Sequence, residues 1–204
     1  MNYKRINKLW QLAGGGLLAP TILVLMVCWL VTDPTLDKYQ WLLLLHLPIL
    51  MIHEYEEYIL PGGFKEFLNS KSPLAPKVLK EDVPLSEPYL FFVNIIVLWL
   101  WIILGAVFAK TIPWIGLGPI LLQILINNVT HTIAFQKKQK GYNPGLITTI
   151  VLLMPYNVFV IWYIIKHNVF TQNDWIYGLA SGLIVPVILF SITMTRNKLA
   201  SKVN

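Results

Sequence analysis

Long apolar stretches separated by short polar segments dominate the chain. Six of them are long enough for a helix to cross about 30 Å of hydrocarbon, which needs roughly 20 residues. They cover approximately residues 12–31, 40–60, 89–109, 113–134, 145–166 and 174–195. Helix is the expected form, because backbone in lipid must satisfy its own hydrogen bonds. The pattern therefore predicts an all-α fold, a polytopic transmembrane helical bundle of about six spans, in a single domain over residues 1–204.

The composition agrees with a membrane protein. Of the 204 residues, 56% are hydrophobic and only 13% are charged, whereas about a quarter are charged in an ordinary soluble domain. The net charge is +6, but cytoplasmic loops account first for excess Lys and Arg in a membrane protein. We therefore expect no nucleic-acid partner. Cys28 is the only cysteine, so neither an intramolecular disulfide nor a cysteine-based metal site is expected.

Basic residues fall mainly on one side of the predicted bundle. The N-terminal tail, the loops after the second and fourth spans and the C-terminal tail hold 13 of the 16 Lys and Arg residues. They are Lys4, Arg5, Lys8, Lys65, Lys71, Lys77, Lys80, Lys137, Lys138, Lys140, Arg196, Lys198 and Lys202. Because loops rich in Lys and Arg stay in the cytoplasm, we predict that both termini are cytoplasmic.

In this orientation, four spans place their unusual polar residues in one layer near the cytoplasmic side. The residues are His53, Glu54, Glu56 and Glu57, then Asn94, then Asn127, Asn128 and His131, and finally Tyr142, Asn143, Thr148 and Thr149. Ionisable groups inside a membrane are costly and mark functional sites by default. The predicted topology therefore points to one shared site.

Helical geometry selects among the polar residues of the second span. At about 100° per residue, Glu56 and Glu57 share a face with His53, because residues three and four apart are neighbours. Glu54 points roughly 100° away, so we expect it to be peripheral. His46, two turns earlier, returns to the same stripe, where a buried hydrogen-bonding histidine is the simpler interpretation.

The fourth span carries a matching polar stripe, in which Asn127 and Asn128 precede His131 by four and three residues. Two histidines and a carboxylate from facing helices form a plausible set of ligands for Zn²⁺ or another divalent transition metal. We predict His53, Glu57 and His131 as the metal ligands. Such an ion would neutralise the adjacent glutamates.

The polar residues also include candidates for catalytic and supporting roles. Glu56, Glu57 and Asn127 are the candidate catalytic residues. Asn94, Asn128, Tyr142 and His46 are further candidate site residues, which would orient ligands or bind substrate. Two alternatives stay open. A protonated glutamate would reduce the cost of burying paired carboxylates without any metal, and the cluster would then be an acid–base or proton-relay site. The same residues can also form a structural polar cluster that ties helices together.

The motif His53-x-x-Glu56-Glu57, followed downstream by "NNVTH" and "YNPG", resembles the bacterial membrane-protein family named for its HXXEE motif. The resemblance covers most of the chain. It implies a multi-pass protein of the cell membrane, in a bacterium the plasma membrane, but it supplies no reaction, because the function of that family is unknown. A looser similarity is to intramembrane CAAX-type proteases. Pro61 stands where their paired-glutamate motif has arginine.

Three classes of function fit these residues. The first is a metal-dependent membrane hydrolase, with a glutamate as general base, acting on a membrane lipid or a membrane-embedded peptide. The second is a proton- or cation-coupled transporter. The third is a non-catalytic immunity or assembly protein of the membrane. The polar layer lies on one side and does not trace a path across the membrane, which favours the enzyme over the transporter.

Overall fold

The computed structural model describes residues 2–16, 18–76, 82–138 and 141–200. With consecutive helical segments joined, these residues form eight helices and no β-strand. The helices are α1 (Tyr3–Ala13), α2 (Leu18–Thr32), α3 (Lys38–Tyr58), α4 (Phe64–Ser70), α5 (Glu87–Val107), α6 (Pro113–Lys137), α7 (Leu146–Lys166) and α8 (Gln172–Ala200). The predicted all-α membrane fold is confirmed.

Four helices, α5 to α8, are long and apolar enough to cross a membrane. A fifth span is present if α1 and α2, which are bent by 43° at their junction, count as one broken helix. The glutamates near its end leave α3 outside this set, yet its 21 residues extend about 31 Å at 1.5 Å per residue. The count of six spans stays a prediction.

Helix α3 is the centre of the bundle. It packs against α1, α2, α5 and α7, and most of its side chains are buried. One buried cluster joins its Leu42, Leu43 and Ile49 to Leu153 and Val160 of α7. Because neighbouring helices surround α3, its polar residues face protein instead of lipid, which is where ionisable groups within a membrane are tolerated.

The break between α1 and α2 lets the chain pass directly over α3. A Cβ atom on Gly14 would lie 1.7 Å from the carbonyl oxygen of Met51, and one on Gly15 would lie 2.0 Å from the ring of Tyr55. Only glycine permits this approach, since any side chain would overlap α3. The bounds of the predicted first span, residues 12–31, stay a prediction, because α1 and α2 reach the length of a span only as a bent pair.

Glu87, the first residue of α5, connects three elements at one end of the bundle. Its carboxylate accepts hydrogen bonds from Asn7 Nδ2 at 2.7 Å and from Lys65 Nζ at 3.1 Å. Lys65 also donates to Asp82 at 2.9 Å. Partial burial on its own lowers the pKa of Lys65, but the hydrogen bonds to Asp82 and Glu87 outweigh it and the pKa is raised. The charges therefore hold the segment between α3 and α5 against α1.

Part of the positive charge used to orient the chain lies outside the described residues. This is true of Lys77, Lys80, Lys140 and Lys202, and of the side chain of Lys138. The cytoplasmic placement of both termini therefore stays a prediction. The described part of the loop between α3 and α5 is not a plain linker, because Phe67 and Leu68 of α4 pack onto α5 and α6.

Three of the spanning helices contain π-helical turns, in which the N–H group of residue i bonds the carbonyl of residue i−5. They occupy Phe92–Trp99 in α5, Ile124–Asn128 and Thr130–Ala134 in α6, and Thr149–Leu153 in α7. Such turns are rare and are often found at functional sites. In this chain they flank the polar layer.

Candidate metal centre

Helices α3 and α6 bring two imidazoles and one carboxylate to a common point. Glu57 Oε1 lies 3.5 Å from His53 Nε2 and 3.2 Å from His131 Nε2. One ligand atom from each residue lies within 4.8 Å of the others. His53 and His131 are 0% exposed and Glu57 is 4% exposed. The three predicted ligands therefore meet in a site that is closed to solvent and lipid.

Glu56, the other glutamate of the motif, is held by the N-terminus of α7. Its Oε1 accepts from Tyr142 Oη at 2.9 Å and from the Ile147 N–H at 3.1 Å. Its Oε2 accepts from the N–H and the hydroxyl of Thr148 at 2.7 and 2.5 Å. A helix N-terminus stabilises a negative charge. These four hydrogen bonds satisfy Glu56 without a metal and favour a positioning role.

Thr148 connects Glu56 to the first histidine. Its hydroxyl has one proton, which goes to the close, charged oxygen of Glu56, and the hydroxyl must therefore accept from His53 Nδ1 at 2.9 Å. The hydrogen-bond network thus assigns the proton of neutral His53 to Nδ1. Its Nε2 carries a lone pair and faces Glu57.

Asn143 determines which ring nitrogen of the second histidine, His131, carries the proton. Its Nδ2 donates to the backbone carbonyl of His131 at 3.0 Å, which fixes the orientation of the amide. The Oδ1 atom then faces His131 Nδ1 at 2.7 Å and can only accept. Neutral His131 therefore also has its proton on Nδ1, and its Nε2 lone pair also points to Glu57. A metal-bound histidine characteristically donates its other N–H to such a partner.

The geometry fits a metal ion. Both Nε2 atoms lie beside the Glu57 carboxylate, at 3.5 and 3.2 Å, and have no other polar partner among the described residues, so two imidazole nitrogens and a carboxylate face one another in a buried site. Bonds of about 2.0 Å at tetrahedral angles separate two ligand atoms by about 3.3 Å. The distances from Glu57 to the two histidines bracket that value. Three protein ligands also leave one position free, as catalytic zinc sites do.

Two phenylalanine rings, a tyrosine hydroxyl and an amide lie around the candidate ligands. Phe64 stacks on His131 with ring centroids 5.5 Å apart, and Phe135 meets the same ring edge-on at 5.2 Å. The Tyr58 hydroxyl contacts Glu57 and lies 3.5 Å from Asn94 Nδ2. Asn94 therefore lies next to Tyr58 at the edge of the site, and its supporting role stays a prediction.

Tyr142 forms the exposed edge of the centre. Its ring is 41% exposed, while its hydroxyl reaches Glu56. Partial burial and the hydrogen bond to Glu56 raise the pKa of Tyr142, so its hydroxyl keeps its proton and remains a donor. Tyr142 thus joins the buried carboxylate of Glu56 to the surface of the bundle, and its role as a site residue stays a prediction.

The family described as "protein of unknown function with HXXEE motif" matches residues 41–160. The chain belongs to the HXXEE-motif family. The matched segment runs from α3 into α7 and contains all three candidate ligands. No curated protein and no solved structure matches the chain. The family match confirms the resemblance in the sequence but brings no reaction with it.

The structure separates the HXXEE residues from some other predicted site residues. Asn127 Nδ2 donates to Gln123 on its own helix, and Asn128 lines a groove between α6 and α7. His46 is buried against Tyr156, at a ring-centroid distance of 4.9 Å. These residues do not contact Glu57 in the recorded interactions of the described residues. Their roles in the reaction stay predictions.

Two further residues near the centre, Glu54 and Gly145, have contacts that the sequence does not specify. Glu54 accepts both of its hydrogen bonds from Trp99 Nε1 of α5, which agrees with its predicted peripheral position. Gly145 has greater importance than the helix-entry pattern "YNPG" indicates. A Cβ atom there would lie 2.7 Å from His131 Cε1 and 2.8 Å from His53 Cε1. Its backbone covers both imidazoles.

We expect Thr148→Val to weaken metal binding by roughly 10- to 100-fold, the usual cost of losing a partner of a metal-bound histidine. Valine cannot accept the proton of His53 or donate to Glu56. Thr149→Val is the matched control, because the buried Thr149 hydroxyl has no partner among the described residues. Titration of each purified variant with Zn²⁺ measures the difference. Equal affinities for the two variants would exclude the role of Thr148.

Proposed function

We propose that this HXXEE protein is an integral membrane hydrolase that uses a divalent transition metal held by His53, Glu57 and His131. Its substrate class is a membrane lipid or a membrane-embedded peptide. The proposal depends most on one observation, the convergence of two Nε2 lone pairs on the Glu57 carboxylate. Such an arrangement is unfavourable in a dry interior until a cation occupies it.

The residues of the site would have different roles in this reaction. His53, Glu57 and His131 bind the ion, while Thr148 and Asn143 fix the two imidazole tautomers. When bound, the ion supplies Lewis-acid polarisation of a carbonyl or phosphoryl group and acidifies water. Tyr142, with its exposed ring and protonated hydroxyl, stands where a substrate group would approach. Glu56, on α3, fixes the positions of Tyr142 and of the N-terminus of α7 through its hydrogen bonds.

Cation- or proton-coupled transport is the main alternative, because the same ligands would serve it. A transport path needs polar groups on both sides of the binding layer. His46 extends the stripe by two turns of α3, but its ring packs against Tyr156 and both of its nitrogens lack partners. We therefore rank hydrolysis first and treat transport as an outcome of the test.

The test combines metal content with incorporation of solvent oxygen. The purified protein in lipid nanodiscs is expected to retain about one metal ion per chain. Incubation with membrane lipids and membrane peptides in H₂¹⁸O should then yield products that carry ¹⁸O, because hydrolysis adds a solvent oxygen. Glu57→Gln should abolish this incorporation. Asn173→Leu, an exposed change at the start of α8, should not affect it.

Other results would redirect the assignment. Bound metal without ¹⁸O-labelled product, together with cation flux in liposomes that Glu57→Gln abolishes, would establish transport. A protein that binds no metal and is destabilised by Glu57→Gln would establish a structural cluster. A protein that binds no metal, stays folded as Glu57→Gln and loses ¹⁸O incorporation would establish a metal-free acid–base site. Incorporation of ¹⁸O that persists in Glu57→Gln would place the reaction elsewhere in the chain.

A further inference from the structure

A groove of about 580 Å³ runs along the outside of the bundle between α6 and α7. This volume lies within the range of roughly 300–1,000 Å³ that is typical of small-molecule sites. Its walls are largely apolar and include Ile133, Val158 and Trp162, which are 51%, 68% and 47% exposed. The groove therefore opens on the surface that the membrane would cover, and an apolar chain can enter it from the side.

Two amide side chains interrupt this apolar lining. Asn157 of α7 is 0% exposed, and neither its Oδ1 nor its Nδ2 has a partner among the described residues. Asn128 of α6 is 7% exposed, and its Oδ1 is also without a partner. Both residues line the groove. Buried polar groups are almost always hydrogen-bonded, so an unpaired pair of amides at a ligand-sized groove needs an explanation.

The unpaired atoms define what the groove would bind. Asn157 offers a donor and an acceptor, and Asn128 offers a further acceptor. A hydroxyl group both accepts and donates through one oxygen atom, so it can bond to the Asn157 N–H and to one amide oxygen together. The apolar walls require the rest of the ligand to be hydrocarbon. We propose that the groove binds a lipid alcohol, with its hydroxyl between Asn128 and Asn157 and its chain along α6 and α7.

Along helix α6, residues that line the groove are close in sequence to a candidate metal ligand. Asn128 precedes the ligand His131 by three residues, and Thr132, which follows it, lines the groove. A hydroxyl held by Asn128 would therefore lie about one helical turn from the metal-binding histidine. The claim that a lipid alcohol is a substrate of the enzyme rests on the proposed function. The claim that the groove binds a lipid alcohol does not, and photolabelling measures only this binding.

Photolabelling with matched probes tests the proposal. One probe is a long-chain primary alcohol with a diazirine in the chain, and the other is the hydrocarbon of equal length with the same diazirine. In nanodiscs, both should label residues 124–133 and 154–165. The alcohol should label them roughly 2- to 10-fold more than the hydrocarbon, the advantage that one net hydrogen bond confers. The preference should persist in His131→Ala, since it does not depend on metal.

Variants distinguish the contribution of the two amides to probe binding from that of the apolar walls. Asn157→Leu should reduce alcohol labelling to the level of the hydrocarbon, while hydrocarbon labelling persists and shows that the groove is intact. Val158→Trp should reduce labelling by both probes, because it fills the groove. Asn173→Leu, outside the groove, should leave the ratio unchanged. Asn128→Leu provides a second test of the amides if Asn157→Leu does not fold.

Three results would overturn the proposal. Equal labelling by the two probes in the wild-type protein would mean that the groove accepts hydrocarbon chains without recognising a hydroxyl. An alcohol preference that survives both asparagine substitutions would place the hydroxyl elsewhere. Absence of labelling by either probe at residues 154–165, in a protein that is dimeric by light scattering, would assign the groove to an interface between protomers.

Discussion

Replacing His131 by alanine is expected to weaken metal binding by more than about 100-fold. Loss of a partner of a ligand costs roughly 10- to 100-fold, and loss of the ligand itself should cost more. His131 supplies the only ligand from α6, so the variant leaves two donors on one helix. Metal analysis of the purified protein checks this directly, and His53→Ala should give the same result.

A chelator separates loss of metal from loss of fold. A ligand that binds only the folded state stabilises it by about 2.7 kcal/mol at 100 times its dissociation constant. Chelation should therefore lower the melting temperature of the wild-type protein and leave that of His131→Ala unchanged. His167→Ala, in the exposed loop after α7, should behave like the wild type. A wild-type protein that contains no metal and does not respond to chelation would contradict the metal assignment.

The convergence of His53, Glu57 and His131 could be predicted because it depends on two simple regularities. Alternating spans return their ends to the same side, so the polar ends of α3 and α6 must share a depth. Residues three and four apart share a helical face, which pairs His53 with Glu57. Neither regularity needs the details of a loop, and the observed distances among His53, Glu57 and His131 agree with both.

The hydrogen bond of Asn127 could not be predicted from its spacing to His131. Residues four apart on a helix are neighbours, so an amide at position 127 is within reach of both Gln123 and His131. In the structure, Asn127 Nδ2 bonds to Gln123 Oε1, on a helix that contains the π-helical turns Ile124–Asn128 and Thr130–Ala134. The choice between two neighbours depends on side-chain packing, which the spacing does not contain.

The division of labour between the two glutamates also depends on tertiary structure. The sequence places Glu56 and Glu57 on one face and names both as candidate catalytic residues, with Glu57 alone as a candidate metal ligand. The chain leaves its turn at Gly145 and starts α7 against Glu56, so the helix N-terminus neutralises that carboxylate. Glu57 faces only imidazoles and the Tyr58 hydroxyl. The buried charge of the motif is therefore compensated in two ways, by a helix end at Glu56 and by the proposed cation at Glu57.

Gly145→Ala is expected to weaken metal binding about as strongly as the loss of a ligand partner, by roughly 10- to 100-fold, although Gly145 offers no ligand atom. Its φ of +92° is strained for alanine, and the new Cβ would lie 2.7, 2.8 and 3.0 Å from atoms of His131, His53 and Glu57. All three neighbours are candidate ligands, so any shift that relieves the overlap displaces at least one of them. Zn²⁺ titration of the purified variant measures the loss.

Gly141→Ala is a control that separates strain from overlap. Gly141 also has a positive φ, +108°, but a Cβ atom there would meet nothing within 4 Å. Both variants force alanine into a conformation that L-residues rarely adopt, and only Gly145→Ala intrudes on the ligands. If only the positive-φ backbone conformation is important for metal binding, the two variants will lose metal affinity equally. If the backbone at Gly145 shapes the centre by its contact with both imidazoles, Gly141→Ala will keep its affinity and Gly145→Ala will not.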